Sequence, residues 1–190
     1  MRWRKTARLI SQVLDPLVVV PLSAVLALPI LISWGLTGRQ ILILGLIDLL
    51  PTAAAILYVV GHRDWRDWDI HARTFRAPIL LTASASQGVG LALAIIWQLS
   101  LLVPLLLSFW LITLAYWAIT NKWKVSIHTG VISALAWLAV YYGGWQFVWV
   151  WCLVPLVGWA RVVGHEHTFS QVTLGALLPP IILELNCRLW

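Results

Sequence analysis

Apolar runs long enough to cross a lipid bilayer follow one another along nearly the whole of this chain, and that pattern leaves few folds open. A bilayer core of roughly 30 Å takes about 20 apolar residues per helix. Runs of that order fall at about 16–36, 41–60, 79–97, 99–119, 126–142, 145–162 and 169–186. Short polar or glycine-bearing breaks separate them, at Thr37 to Gln40, Gly61 to Arg76, Gln98 to Ser100, Asn121 to Lys124, Gly143-Gly144 and Gly164 to Thr168. With 61% of residues hydrophobic and 11% charged, a water-soluble core has no room for so much apolar surface. The expected fold is all-α, a polytopic transmembrane bundle of six or seven helices, with residues 1–190 as a single integral membrane domain.

Charge and cysteine usage narrow the partners. The net charge of +6 sits in short loops beside apolar spans, where anionic headgroups or phosphorylated lipids are nearer than nucleic acid, so membrane lipid is the expected partner. Cys152 and Cys187 are too far apart in kind and place to form a disulfide framework or a metal-ligand spacing, and they read as packing residues. The basic start, Met1 to Arg8, leads into an apolar run without a small-residue cleavage site, which reads as an uncleaved first helix. Among fourteen tryptophans, Trp34, Trp97, Trp123, Trp145 and Trp190 fall near span ends and suit an interfacial belt, whereas Trp110 and Trp137 suit packing between helices.

Each crossing changes sides, so an even number of crossings returns the chain to the same face. Two crossings separate the 61–78 loop from Lys124, and two more separate His128 from Arg161. These three polar stretches and the N-terminus are therefore expected on one face, together with all five histidines. Of the thirteen Lys and Arg residues only Arg39 and Arg188 fall opposite. By the positive-inside rule that face is expected to be cytoplasmic, and the expected location is the plasma (cell inner) membrane.

Chemistry concentrates at two of these boundaries. Arg161-Val-Val-Gly-His-Glu-His167 sets a permanent cation and two imidazoles at the exit of an apolar span, and Lys124-Val-Ser-Ile-His128 repeats the theme upstream. Cations of this kind grip a phosphate-like anion, and a histidine beside it can attack phosphorus or move a proton.

The spacing resembles the type 2 phosphatidic acid phosphatase superfamily, whose three short motifs read Lys-x6-Arg-Pro, Pro-Ser-Gly-His and Ser-Arg-x5-His-x3-Asp. The third motif is the best kept: Arg161-x5-His167 is intact, Ala160 stands for the serine and Gln171 for the aspartate. The second survives as Val125-Ser126-Ile127-His128. The first keeps Arg76 within Asp69 to Pro78, with Asp69 at the lysine position and Ala77 before the proline. Arg73 and Lys124 are candidates to restore the missing positive charge, because a phosphate needs total charge and donors more than one particular stem.

That resemblance implies a metal-independent phosphatase without a cofactor, acting on a lipid phosphate or diphosphate. His167 would be the nucleophile that becomes a phosphohistidine, His128 would protonate the leaving oxygen, and Arg161 with Arg76 would neutralise the phosphoryl oxygens. Arg73, Lys124 and Ser126 complete the expected phosphate-binding set, and Gln171 would orient His167. A neutral amide there lacks the charge that steadies an imidazolium.

The plainer expectation for any boundary histidine or arginine is an interfacial anchor, and it is the one adopted for His62, His71, Arg63 and Arg66. Two other functions compete with the phosphatase: a degenerate relative that binds phospholipid or polyprenyl phosphate without hydrolysing it, and a metal or haem protein using the five histidines. Within the spans, Asp48 and Glu184 are costly ionisable groups that call for a partner, and Gly88 and Gly90 are expected to allow close helix contact.

Overall fold

The computed structural model of the protein describes residues 2–61 and 73–190, with the side chains of Arg2, Val60 and residues 73–75 left out. His62, Arg63, Arg66, Asp69 and His71 lie outside the described residues, as does the side chain of Arg73. Every regular element among the described residues is helical. They are α1 (Arg2–Val13), α2 (Pro16–Leu26), α3 (Leu28–Ser33), α4 (Gly38–Gly61), α5 (Arg73–Ile96), α6 (Val103–Thr120), α7 (Ile127–Gly143), a 3-10 helix (Trp145–Cys152), α8 (Leu153–Val163) and α9 (Phe169–Leu189).

Six helical stretches are long and apolar enough to cross a membrane: Trp3–Ser33, Gly38–Val59, Arg76–Ile96, Val103–Thr120, Trp145–Val163 and Phe169–Leu189. The protein is an all-α membrane protein. Helix α7, with 17 residues, is only slightly shorter; at 1.5 Å per residue it is about 26 Å long. Many of the exposed side chains are large and apolar, Leu42, Leu57, Ile95, Ile96, Ile181 and Leu185 among them, as lipid-facing positions require.

The expected helix over 16–36 is in fact two. Helix α2 stops at Leu26, Ala27 caps it, and α3 begins at Leu28 with Pro29 as its second residue. A proline has no N–H to continue the ladder and pushes the residue before it away from helical geometry, so the ladder parts there. The expected 145–162 helix also changes character, with eight residues of 3-10 helix before α8. At about 2.0 Å per residue, 3-10 winding carries the chain farther than α winding would. Helix α1 lies ahead of the first apolar run, in a stretch read from sequence only as basic.

The helix ends follow local chemistry. Thr37 and Gln40 form a capping box before α4, the Thr37 N–H donating to Gln40 Oε1 at 2.9 Å and the Gln40 N–H to Thr37 Oγ1 at 3.3 Å. Helix α5 closes in a Schellman motif, in which Leu99 N–H donates to Ala94 O and Gln98 N–H to Ile95 O while Gln98 takes φ 57°.

Internal contacts group into two compact units: Met1–Ala27 with Lys124–Leu185, and Leu28–Trp123 with Asn186–Trp190. In the first, α1 packs on α8, α2 on α7, and α7 on both α8 and the 3-10 helix. Trp3 meets Trp159 edge-on at 6.1 Å, and Trp137 Nε1–H donates to Glu184 Oε2 at 3.0 Å, which gives that intramembrane carboxylate its partner. In the second unit α5 packs between α4 and α6. A Cβ at Gly88 would stand 3.3 Å from Trp110 Nε1 and one at Gly90 2.8 Å from Asp48 Oδ1, so both glycines do permit the close approach expected of them.

Candidate functional site

Three helix ends of the first unit, the starts of α7 and α9 and the close of α8, carry most of the residues singled out from the sequence. At the start of α7, Ser126 has extended backbone (φ −85°, ψ 104°) and its hydroxyl accepts the Thr129 N–H, the role of an N-cap. Its own N–H donates to Gln171 O at 3.2 Å, which ties the start of α7 to the start of α9. Thr129 Oγ1 strengthens that tie at Val172 O, 3.1 Å away. Ser126 is fully buried (0% exposed), and its hydroxyl serves as a cap inside the protein.

His128 follows one residue into α7. Its Nε2 lies 3.1 Å from Oδ2 of Asp15. Asp15 caps α2, its Oδ1 accepting the Leu17 N–H at 2.8 Å, and the Asp15-Pro16 pair is the ordinary opening of a helix. Arg161, in the last turn of α8, is buried at 4% exposure and close enough to Asp15 for its positive charge to act on that carboxylate.

The spacing of Arg161 and His167 has a backbone cause. Helix α8 ends in a second Schellman motif: His165 N–H donates to Val162 O at 3.0 Å and Glu166 N–H to Arg161 O at 3.0 Å. His167 N–H reaches the same Arg161 carbonyl at 3.2 Å, so six residues of chain fold back onto one acceptor. The motif puts His165 at φ 59°, the left-handed conformation usually given to glycine. Its Nε2 accepts from Arg4 Nη2 of α1 at 2.9 Å, and because a guanidinium can only donate, His165 carries its hydrogen on Nδ1.

His167 is buried (6% exposed) and its tautomer follows from its neighbours. Thr168 and Gln171 form the capping box of α9: Thr168 N–H donates to Gln171 Oε1 at 3.1 Å, and Gln171 N–H to Thr168 Oγ1 at 3.4 Å. A backbone N–H can only donate, so the atom it meets is the amide oxygen. His167 Nδ1 lies 3.1 Å from that same oxygen and must be the donor.

A cavity of about 500 Å³ opens at this point, lined by Lys124, Val162, His165, Glu166, His167, Thr168 and Gln171. Lys124 crosses it to donate from Nζ to Glu166 O at 2.6 Å. One unit thus holds Lys124, Ser126, His128, Arg161, His167 and Gln171. Arg76 is buried (8% exposed) in α5 of the other unit. Among the described residues no three His, Cys, Asp or Glu side chains converge as metal ligands.

The residues that sequence reasoning missed are Asp15, Arg4 and the backbone of Glu166. Asp15 had a legible signal, since an acidic residue just before a proline that opens an apolar run is an N-cap pattern. No family model matches the chain, and neither does any curated protein or solved structure.

Proposed function

We propose that the chain is an integral membrane phosphatase that hydrolyses a lipid phosphate or diphosphate through a phosphohistidine and without a metal. The observation that carries this reading is the buried imidazole of His167 at the wall of a cavity it shares with Lys124, its ring held through Nδ1–H by Gln171 Oε1. In the first step Nε2 bonds to phosphorus, the bond from phosphorus to the lipid oxygen breaks, and protonated His128 gives its proton to that oxygen. In the second, neutral His128 takes a proton from water, the water oxygen bonds to phosphorus, and the P–Nε2 bond breaks to release inorganic phosphate. Both histidines end as they began. Arg161 and Lys124 offset the charge on the non-bridging oxygens, and partial burial makes that help stronger than it is in water.

The tail needs no protein cavity of its own, because it stays in the bilayer while the headgroup enters. The cation bias of the loops supports a cytoplasmic active face. Gln171 favours a second reading, a lipid phosphate binder that does not turn over, since an amide cannot stabilise an imidazolium as a carboxylate does. The two separate in one experiment: phosphate release from short-chain phosphatidate, phosphatidylglycerol phosphate and an isoprenyl diphosphate, with chelator present. The phosphatase releases phosphate from at least one of them and loses that ability in His167→Ala. Binding of the lipid with no release, from wild type and variant alike, identifies the binder.

A further inference from the structure

We propose that Asp15 is the positioning residue for His128, and that the charged orienting group of this site therefore serves the proton-transferring histidine and leaves the nucleophile to a neutral amide. The proposal rests on the phosphatase reading above. It comes from a contact between residues 113 positions apart, brought together because α2 packs on α7.

Both oxygens of Asp15 are committed. Oδ1 accepts the Leu17 N–H at 2.8 Å, which anchors the carboxylate to the first turn of α2. Oδ2 faces His128 Nε2 at 3.1 Å. An ionised carboxylate can only accept, so Nε2–H donates and Nδ1 is the edge of His128 left to exchange protons. His128 side-chain exposure is 14% and that of Asp15 33%, so the pair is partly withdrawn from water and its Coulomb attraction is only partly screened.

This changes what each histidine can do. His167 donates to a neutral amide oxygen, which fixes the orientation of the ring and brings no charge to it. His128 donates to a carboxylate, which holds the ring in one orientation both while it protonates the leaving oxygen and while it deprotonates water. In the first step the Nδ1 proton passes to the lipid oxygen as the P–O bond breaks. In the second, Nδ1 recovers a proton from the attacking water as the P–N bond breaks. Asp15 touches neither phosphorus nor the leaving group, and acts only through the ring it holds.

The chemistry separates this role from a merely structural one. Asn is as good an N-cap as Asp, so Asp15→Asn keeps the bond to Leu17 N–H with its one oxygen and presents its N–H₂ to His128. The ring then loses its charge partner or turns to the other tautomer. General acid catalysis matters most when the leaving oxygen is strongly basic, so an alkyl phosphate depends on His128 and a p-nitrophenyl phosphate hardly needs it for the first step.

Purified full-length protein in detergent micelles tests this with short-chain phosphatidate and p-nitrophenyl phosphate. Asp15→Asn is expected to lower kcat on phosphatidate by about 100-fold or more, within the usual range for acid–base assistance. On p-nitrophenyl phosphate the same variant retains a burst of p-nitrophenolate, followed by a slow steady state in which the phosphohistidine accumulates. Asp15→Glu recovers part of the lost rate, and Asp15→Ser, which still caps but is too short to reach the ring, behaves like Asp15→Asn. Equal losses on both substrates without a burst, or an Asp15→Asn enzyme as fast as wild type, would overturn the assignment while His167→Ala still abolishes release. No phosphate release from the wild type itself overturns the phosphatase reading, and this inference with it.

Discussion

Gln171 Oε1 accepts the Nδ1–H of His167 at 3.1 Å while it also accepts the Thr168 N–H at 3.1 Å. One side-chain oxygen therefore closes the first turn of α9 and sets the tautomer of the candidate nucleophile. The helix start and the His167 ring share this one acceptor, so changes at position 171 act on both.

Two substitutions at Gln171 separate those effects. Gln171→Leu removes both hydrogen bonds and is expected to lower kcat by about 100-fold, the lower end of acid–base effects, and to cost the helix about 1 kcal/mol of capping. Gln171→Asp keeps an acceptor beside Nδ1 and adds a negative charge at a helix N-terminus, where it is favourable. Its kcat is expected to equal or exceed that of wild type. Rates with a short-chain lipid phosphate, read beside thermal melts, check both; an unimpaired Gln171→Leu enzyme would contradict the orienting role.

Lys124 reaches over the cavity to Glu166 O at 2.6 Å, close to where a phosphoryl group would enter. Lys124→Met is expected to lower kcat/KM by about 10- to 100-fold, the equivalent of losing one charge-assisted contact of roughly 1.5–3 kcal/mol. Lys124→Arg, which preserves the charge, is expected to fall between the two. Initial rates across a substrate series measure this, with most of the change in KM.

Gly175 gives a test of the packing that brings α7 to α9. A Cβ there would run into the Ser126 carbonyl oxygen and lie 2.7 Å from Thr129 Oγ1. In an ordinary helix Gly→Ala is stabilising by up to about 1 kcal/mol. Here overpacking reverses the sign, and Gly175→Ala is expected to destabilise by about 1–3 kcal/mol and to shift the N-terminal turn that carries His128. A melting temperature at or above that of wild type would show that the helices are not so closely apposed.

Much of this architecture was legible in advance because lipid enforces long apolar helices, and their number and ends follow from composition and turn chemistry. The exceptions have local causes. Pro29 splits the first span at Ala27, a break that hydropathy alone passes over. Helix α1 escaped because its apolar positions, Trp3, Ala7 and Ile10, are spaced around a helix among cations and form no run. The positions of Lys124, His128, Arg161, His167 and Gln171 at or beside helix ends were legible from spacing, since each falls at the edge of an apolar run. Asp15 was not, because its partner lies on a helix far along the chain and only packing brings them together. The capping role of Ser126 was not legible for a related reason: the hydroxyl that sequence offers to a ligand is also the one that caps α7.

Gln98 offers a control remote from the candidate chemistry. It closes α5 at φ 57° with an exposed side chain, a conformation that costs an L-residue roughly 1–2 kcal/mol and glycine almost nothing. Gln98→Gly is expected to raise the melting temperature by roughly 2–4 °C with activity unchanged.

The most direct measurement of the central claim is capture of the phosphorylated protein. Wild type quenched during turnover of a radiolabelled lipid phosphate should carry label in a bond that survives alkali and breaks in acid, as a phosphoramidate does, and His167→Ala should carry none. Label retained at undiminished level in His167→Ala, or phosphate release at the wild-type rate by that variant, would contradict it.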